Sequence, residues 1–310
     1  MKSLFLSSLL ALGLLAVPAQ AAEYPAKPIT LMTAFNAGGG SDVSHRLLEK
    51  FAKGVFDQPI VVTYKAGAGG EIGWTWLVGA KADGYTIGGV DLPHIVLQPM
   101  LRPEGQPGYK TEQLSPLCGL VYDADVVMVP EDGPYKTFKD LIEYAKANPG
   151  KVKVATVGKL TGDHLFLMQI EKLTGAKFTQ VPYSGSGKAI PALLSGEVDA
   201  YFGSGSSFLR MEKTRGLAIG SKERYELCPD VPTFIEQGYA IESGKYRGLA
   251  TPQNIPAEAR QYLETKFAEL CANPEYQKAV KSSGLMPQFQ TGKAFGEIIR
   301  TEGEQAKKIL

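Results

Sequence analysis

The chain has 310 residues, with 33 Lys and Arg against 32 Asp and Glu, so its formal net charge at pH 7 is +1. The basic residues are spread evenly, which argues against a nucleic-acid partner and against a polybasic membrane contact. Three scattered histidines and no Cys-x-x-Cys exclude the usual zinc spacings, so we expect no metal and no cofactor.

Residues 1–21 have the pattern of a secretory signal peptide. Met1-Lys2 gives a positive start, residues 4–17 are apolar, and Ala19-Gln20-Ala21 forms a cleavage site of the A-x-A type. The apolar run is too short to span a bilayer comfortably. We therefore predict a periplasmic mature chain of 310 − 21 = 289 residues that starts near Ala22, with a retained membrane anchor as the alternative.

The first part of the mature chain alternates short apolar strands with helical patterns. Strands are predicted at 29–35, 59–64 and 85–91, and a helix is predicted at 42–54. A second helix is predicted after the glycine-rich turn that follows residue 64, and it ends at about residue 80. This βαβαβ order predicts a parallel sheet with helices on both faces.

The stretch FNAGGGSD at 35–42 lies between the first strand and the first helix. The first amides of a helix lack intrahelical partners and, with the helix dipole, attract anions. Glycines let a carboxylate approach these amides, so an arginine is not needed to hold it. A tight turn with Ser41 or Asp42 as helix N-cap is the alternative. The candidate ligand-binding residues here are Phe35, Asn36, Ala37, Gly38, Gly39, Gly40, Ser41 and Asp42.

A second glycine loop, KAGAGGEIG at 65–73, follows the next strand. Its spacing is G-x-G-x-x-x-G rather than the dinucleotide-binding G-x-G-x-x-G, and Asp91 is only loosely placed for a ribose. We take this loop as part of the same ligand site and not as a nicotinamide site. Its candidate residues are Gly67, Ala68, Gly69 and Gly70.

The strand–turn–helix unit recurs after the apolar stretch 117–130. Helices are predicted at 137–150, 163–175 and 188–196, and strands at 152–157, 177–183, 198–203 and 214–220. The tail returns to an apolar segment at 246–252 and to helices at 256–271, 274–284 and from about 292. Cys271 falls in a helical apolar pattern that predicts a buried thiol, while the sequence does not choose a disulfide among Cys118, Cys228 and Cys271.

Two polar loops of this second block are candidate ligand contacts. In GKLTGDH at 158–164 these are Lys159 and His164, while Thr161 and Asp163 are equally consistent with helix caps. YSGSGKAI at 183–190 lacks the Ser or Thr of a phosphate loop, but Tyr183, Ser184 and Ser186 offer an aromatic wall and hydroxyl donors; an ordinary turn is the alternative.

Isolated residues are weaker candidates. His94, after the third strand, is expected in a loop facing either a cleft or a local partner. Asp199 is expected either to bind ligand or to orient a loop. No G-x-S-x-G or H-E-x-x-H occurs, and Ser41 with His45 would need a third group and an oxyanion hole. We therefore expect no catalysis, with a secreted hydrolase or lyase acting on a small carboxylate as the alternative.

Several blocks, taken in order, resemble the substrate-binding proteins of tripartite tricarboxylate transporters, the Bug or TctC-like family. These blocks are AFNAGGGSD, KAGAGGEIG with DGYTIGG, VPYSGSGKAIPALLSGEVDAYFG, PDVPTFIEQGY and GLATPQNIPAEA. The resemblance runs from about Tyr24 to the C-terminus and includes the signal peptide.

The resemblance implies an α/β, two-lobed periplasmic binding-protein fold, a type II-like clamshell in which each lobe is a mostly parallel sheet flanked by helices. Lobe 1 would comprise 22–120 and 247–310, and lobe 2 would comprise 121–246. The implied ligand is a small carboxylate, such as a di- or tricarboxylate, and the implied partners are the large and small integral-membrane subunits of the transporter. We expect a monomer; the sequence does not separate transport from a sensory role.

The resemblance also implies which residues hold the ligand. Amides around Ala37, Gly38, Gly39 and Ser41 would bind one carboxylate, with Gly67–Gly70 lining the same cleft. From the facing lobe it adds Thr161, Tyr183, Ser184, Gly185 and Ser186. The sequence departs from the commoner family pattern at Ala34, at residues 64–66 and at His94. The resemblance places these positions around the cleft, so it does not identify the ligand.

Overall fold

The structure is a computed structural model that describes residues 24–102, 108–159 and 161–309. The predicted signal peptide at 1–21 lies outside the described residues. Among the described residues, no helix is both long enough and apolar enough to cross a membrane.

The first elements follow the predicted βαβαβ order. They are β1 (Ile29–Thr33), α1 (Gly40–Ala52), β2 (Ile60–Tyr64), α2 (Glu71–Val78), β3 (Thr86–Asp91) and α3 (His94–Leu101). β1 pairs in parallel with both β2 and β3. On α1, Leu48 is fully buried, and Val43, Leu47 and Phe51 pack half-buried against the same core. The four-residue spacing of these side chains thus fixes the face that α1 turns to the sheet.

The second set of elements repeats this arrangement. It comprises β4 (Leu114–Pro130), α4 (Phe138–Ala147), β5 (Lys153–Thr156), α5 (Gly162–Thr174), β6 (Thr179–Pro182), α6 (Ser186–Leu194), β7 (Ala200–Ser204), α7 (Gly205–Phe208) and β8 (Thr214–Ile219). α4 begins with a capping box in which Thr137 and Asp140 satisfy each other's amides. β5 pairs in parallel with β6 and β7, as the strand–helix alternation predicts.

The chain then returns to the first set. The final elements are β9 (Gly244–Pro252), α8 (Ala257–Ala272), α9 (Pro274–Ser282), β10 (Met286–Thr291) and α10 (Gly292–Ile309). The main strand order is β2-β1-β3-β9-β4-β7-β5-β6, with β8 and β10 also paired to β4. All pairings of β4 and β9 are antiparallel, so the sheet is mixed rather than wholly parallel.

The long strand β4 joins two halves of the sheet. Its Ala124 pairs with Gly244 of β9, and the next residue, Asp125, pairs with Ser204 of β7. We call β1, β2, β3, β9, β10 and the start of β4 the first half-sheet, and the remaining strands with the end of β4 the second half-sheet. Each half has its own buried clusters, around Leu249 and Phe267 in the first and around Phe138 and Phe202 in the second. The lobe boundary expected between residues 120 and 121 stays a prediction. The change of partner strand along β4, from Ala124 to Asp125, falls a few residues after it.

α3, α7 and β10 lie where neither a helix nor a strand was predicted, and β4 and β9 lie in segments predicted only to be apolar. His94, expected in a loop, begins α3, which has an internal proline, Pro99, and no side-chain N-cap. The four-residue α7 and the edge strand β10, MPQFQT, were also missed. α3 has a proline at its N-cap, α7 is a single turn whose N-cap Ser204 makes no capping hydrogen bond, and β10 lacks a β-branched run, so the usual helix and strand signals are weak here.

Candidate functional site

A small cavity of about 30 Å³ lies between the two half-sheets. Its wall is formed by residues at the carboxyl ends of β3, β5 and β7, by the loop before α1, by the starts of α1, α3, α5 and α6, and by β9. The lining residues are Phe35, Asn36, Gly39, Gly40, Ser41, Asp91, His94, Val157, Asp163, Gly185, Ser186, Tyr201, Ser204, Lys245 and Arg247. Such edges of α/β sheets are common ligand-binding positions.

Two helices from opposite half-sheets meet end to end at this cavity. α1 and α6 both have a glycine N-cap, Gly39 and Gly185, and neither cap has a side-chain hydrogen bond. A Cβ atom on Gly39 would lie 3.0 Å from Oγ of Ser186, the first residue of α6. The two positive helix ends therefore face each other with their first amides available to an anion.

Close contacts between loops hold the two ends at this distance. Nδ2 of Asn36 donates to the carbonyl oxygen of Ser184 at 3.2 Å and to its Oγ at 2.9 Å. Nη2 of Arg210 donates to the carbonyl of Gly38 at 3.2 Å. A Cβ on Gly187 would meet the carbonyl oxygen of Ala37 at 2.8 Å, so only glycine allows this approach. The glycines around the cavity thus permit backbone contact across the cleft.

The floor of the cavity carries a buried ionic network on β9. Lys245 is bonded to Asp125 and lies 2.9 Å from Asp163. The Arg247 guanidinium lies 2.6 Å from Asp123 and 3.0 Å from Asp91. All six side chains are at most 5% exposed. Each cation therefore has two carboxylate partners.

Strand register creates this network. Asp91 of β3 is the cross-strand partner of Arg247, and Asp123 of β4 is the partner of Lys245. Because alternate residues of a strand share a face, Lys245 and Arg247 point to the same side of β9, as Asp123 and Asp125 do on β4.

Burial and charge act in opposite directions on these groups. Burial raises the pKa of Asp91, although Arg247 lies beside it, and burial raises the pKa of Asp125 to about 6 against the effect of Lys245. For Lys245, burial would lower the pKa, but Asp125 and Asp163 together raise it. Lys245 therefore stays charged in the interior.

Two histidines near the network are buried and neutral. His45 of α1 shares a hydrogen bond of 2.7 Å with Oγ1 of Thr33, and burial, aided by Arg247, lowers its pKa to about 3. His94 is 2% exposed, and burial lowers its pKa well below the ordinary value, with Lys245 and Arg247 adding to the effect. Nδ1 of His94 has no hydrogen-bond partner among the described residues.

Eight of the residues predicted from sequence line the cavity. They are Phe35, Asn36, Gly39, Gly40, Ser41, His94, Gly185 and Ser186. Four more support them at the rim. Ala37 and Gly38 contact the second half-sheet, Asp42 accepts a hydrogen bond of 2.8 Å from the amide of Gly38, and Ser184 bonds to Asn36. The glycine loop at α1 is thus placed as predicted, although its role in binding stays a prediction.

The second glycine loop lies beside the cavity rather than in its wall. It forms a short 3-10 helix, Ala68–Gly70, and a Cβ on Gly69 would meet Gln98, Thr161 and the carbonyl of Lys159. Gly67 and Gly70 approach Ile72 and Trp74 of α2 instead. This loop therefore joins the two half-sheets next to the cavity.

Other predicted contacts have structural partners elsewhere. Oγ1 of Thr161 accepts a hydrogen bond from the amide of His164 at 3.4 Å, which makes Thr161 the N-cap of α5. A helix cap was one of the two roles that the sequence allowed for Thr161. The hydroxyl of Tyr183 donates to Glu197 at 2.7 Å. Neither Lys159 nor His164 is among the residues that line the cavity.

Asp199 requires a correction. Its carboxylate accepts from the amide of Lys153 at 2.7 Å, at the start of β5, whereas Val157 at the far end of that strand lines the cavity. Asp199 therefore lies at the opposite edge of the sheet and orients a loop there. This is the second of the two roles expected for it from the sequence.

The charged floor was missed by sequence reasoning. The prediction that no arginine is needed overlooked Arg247, whose guanidinium lies 2.6 Å from where a Cβ on Gly40 would stand. The signal was present as charges within apolar strands, Asp123 and Asp125 in one and Lys245 and Arg247 in the other. Charged residues are seldom fully buried unless they are paired, so two such pairs in buried strands indicate a network.

Comparison with known proteins gives a consistent result. Residues 45–310 match the family model of the tripartite tricarboxylate transporter family receptor, TctC. The chain is 35% identical over 287 residues to protein BugT of Bordetella pertussis (strain Tohama I), covering 89% of this chain and 86% of that protein.

Solved structures agree in fold. A structure described as a periplasmic transporter is 29% identical, with a TM-score of 0.88 over 92% of this chain and 97% of that one. The periplasmic binding protein BugD is 27% identical, with a TM-score of 0.85 over 92% of this chain and 98% of that one. The two-lobed binding-protein fold expected from sequence is thereby confirmed. This chain belongs to the tripartite tricarboxylate transporter receptor family, TctC, of which the Bug proteins are relatives.

Proposed function

We propose that this protein is a periplasmic solute-binding protein that captures a small carboxylate in the cavity between its half-sheets. It then delivers this ligand to the large and small integral-membrane subunits of a tripartite tricarboxylate-type transporter. The family supports the transport role. The ligand class rests on the geometry of the cavity.

One observation carries the proposal: the uncapped N-termini of α1 and α6 face each other at the cavity. Two positive helix ends repel each other, and a carboxylate between them removes that repulsion while it bonds to their amides. A hydrogen bond to a charged group contributes about 1.5–3 kcal/mol, and each helix end about 0.3–2 kcal/mol. Two or three such contacts account for much of the roughly 8 kcal/mol of micromolar binding.

The same geometry couples binding to closure. A volume of about 30 Å³ holds little more than a water molecule, so a ligand enters only when the half-sheets separate. A carboxylate that touches both helix ends binds the closed arrangement better than the open one. It therefore shifts the population toward the closed form, which the membrane subunits would recognise.

The hydrolase or lyase alternative finds little support at the glycine loop. Oγ of Ser41 donates to Asp91 at 2.8 Å, while His45 shares its hydrogen bond with Thr33. Ser41 and His45 therefore do not form a nucleophile–base pair, which a triad requires. We propose that the protein is not an enzyme.

A ligand screen tests the proposal. The mature protein is subjected to thermal-shift measurements with about fifty small carboxylates, and the hits are measured by calorimetry. We expect micromolar or tighter binding of at least one carboxylate, and an unchanged ligand after prolonged incubation. Conversion of the ligand would favour the enzyme alternative, and failure of every carboxylate to bind would refute the proposal.

A further inference from the structure

The two halves of the sheet are joined at two adjacent points of the chain. The chain passes from the first half to the second between Ala124 and Asp125 on β4, and it enters β9 from the second half between Ser243 and Gly244. The amide of Asp125 donates to the carbonyl of Ser243 at 2.9 Å, which holds the two points together. A rotation of one half relative to the other therefore turns about these two strands, which we call the hinge strands.

The two faces of the hinge strands carry different residues. Lys245 of β9 lines the cavity, and Tyr246, the next residue, points to the other face because side chains alternate along a strand. The cross-strand partner of Tyr246 is Tyr122 of β4, and the two rings lie 4.9 Å apart. Neither tyrosine is among the residues that line the cavity. The tyrosine pair thus marks the face of the hinge strands opposite the cavity.

A groove of about 800 Å³ lies over this tyrosine pair. One wall is the segment 221–226, which follows β8 in the second half. The other wall belongs to the first half and is formed by Lys281 of α9 and by Met286–Gln288 of β10. Met286 is the cross-strand partner of Tyr122, so the two side chains share a face of the sheet. We call this space the hinge groove.

Contacts between the two walls leave the hinge groove open. Nζ of Lys281 lies 3.5 Å from the carboxylate of Glu226, and both side chains are more than half exposed, at 56% and 63%. Exposed ion pairs of this kind contribute little to stability. The hydroxyl of Tyr225 donates to the carbonyl of Leu285 at 3.3 Å. The walls therefore have room to approach each other.

We infer that the hinge groove sets the balance between the open and the closed form of the protein. The hinge strands lie between the cavity and the groove, so a rotation that widens the cavity narrows the groove. A side chain that fills the groove therefore opposes opening, and removal of a ring from its floor favours opening. This inference rests on the proposed function for the closure that it adjusts, but it assigns the control to residues outside the cavity.

The groove would thereby tune ligand affinity without altering any contact in the cavity. When a ligand binds the closed form, its apparent affinity scales with the fraction of protein that is already closed. A change in the groove that raises this fraction strengthens binding, and a change that lowers it weakens binding.

Three variants separate filling, emptying and a surface change. Gln288→Trp fills the groove from an exposed position on its wall. Tyr246→Ala removes one ring from the floor. Lys278→Trp is the control, because Lys278 is exposed on α9 and is not among the residues that line the groove. Should Tyr246→Ala fold poorly by circular dichroism, Met286→Ala, at a side chain that is 37% exposed, takes its place.

Small-angle X-ray scattering on the full mature protein without ligand gives the first test. We expect a smaller radius of gyration than wild type in Gln288→Trp, a larger one in the emptying variant, and the wild-type value in Lys278→Trp. A shift in the expected direction in either groove variant, with the control unchanged, supports the inference. Wild-type values in both groove variants, or a shift in the reverse direction, would overturn it.

Calorimetry with each carboxylate that binds in the screen described above gives the second test. In each groove variant whose radius shifts, we expect the dissociation constant to change at least about threefold, falling for Gln288→Trp and rising for the emptying variant. A shift in radius with unchanged affinity would contradict the inference while leaving the proposed function intact. If no carboxylate binds wild type, the proposed function fails, and the scattering measurement alone decides on the hinge groove.

Discussion

Gly39 and Ser186 come from opposite half-sheets, yet a Cβ atom added to Gly39 would lie only 3.0 Å from the hydroxyl oxygen of Ser186. Gly39 has φ −86° and ψ 173°, which any residue can adopt. The approach of α6, and not the backbone conformation of the turn, therefore favours glycine at this position.

The first prediction follows from that contact. Gly39→Val should lower ligand affinity at least about 100-fold, roughly 2.8 kcal/mol, because the added side chain keeps the two helix ends apart. The urea midpoint should change little. Gly79→Val is a suitable control, since Gly79 also has negative φ and its nearest neighbour to a Cβ is 3.7 Å away. Calorimetry on both variants checks this, and unchanged affinity in Gly39→Val would count against the site.

The second prediction concerns the buried network. Arg247→Met should lower the free energy of unfolding by about 3–5 kcal/mol, because it leaves Asp91 and Asp123 buried without their cation. Arg300→Met, which breaks the exposed pairs with Glu297 and Glu304, should remain near the wild-type value. Urea unfolding followed by circular dichroism compares the two. Similar stabilities in both variants would show that the network is not a structural centre.

The third prediction concerns acid stability. His45 has a pKa of about 3 in the folded protein and 6.5 as a free side chain, so between these pH values only the unfolded chain binds the proton. The free energy of unfolding contributed by His45 therefore falls as pH is lowered from 6.5, by about 2 kcal/mol at pH 5. His45→Gln removes this dependence and can keep the hydrogen bond to Thr33. Urea unfolding at pH 7 and pH 5 should show a loss about 2 kcal/mol greater in wild type than in the variant. Equal losses would mean that His45 is protonated in the folded state.

The fourth prediction concerns the cysteines. Cys118, Cys228 and Cys271 are buried free thiols. Burial raises the pKa of Cys228 to about 11 and that of Cys271 to about 12, so few thiolates exist at pH 8. A chromogenic disulfide reagent should modify none of the three within minutes in the native protein and all three in 6 M guanidinium. A single reactive thiol in denaturant would instead reveal a disulfide.

Much of the fold could be predicted from local patterns. The four-residue spacing of Val43, Leu47 and Phe51 identifies α1, and the glycine at 175 ends α5 in a left-handed conformation, as its sequence position indicates. α3 and β10 could not be predicted, because α3 contains Pro99 and β10 is an edge strand without β-branched residues before its last position.

The candidate site divides in the same way. The glycine loop before α1 is visible in the sequence because strand, glycines and helix are contiguous there. The partnership of Asp91 with Arg247 is not visible, because these residues are far apart in the chain and meet only through the register of β3 with β9. Thr161 differs from this pair, because its contact is local: the sequence allowed both a helix cap and a ligand contact until the structure showed Oγ1 accepting from the amide of His164.

The sequence by itself determined where most of the helices and strands lie, because hydrophobic period, glycine and capping residues act within a few positions of the chain. Tertiary structure alone decided that α1 meets α6 end to end and that four aspartates enclose Lys245 and Arg247. Both arrangements depend on long-range strand pairing, and a shift of one residue would turn these charges to the other face of the sheet.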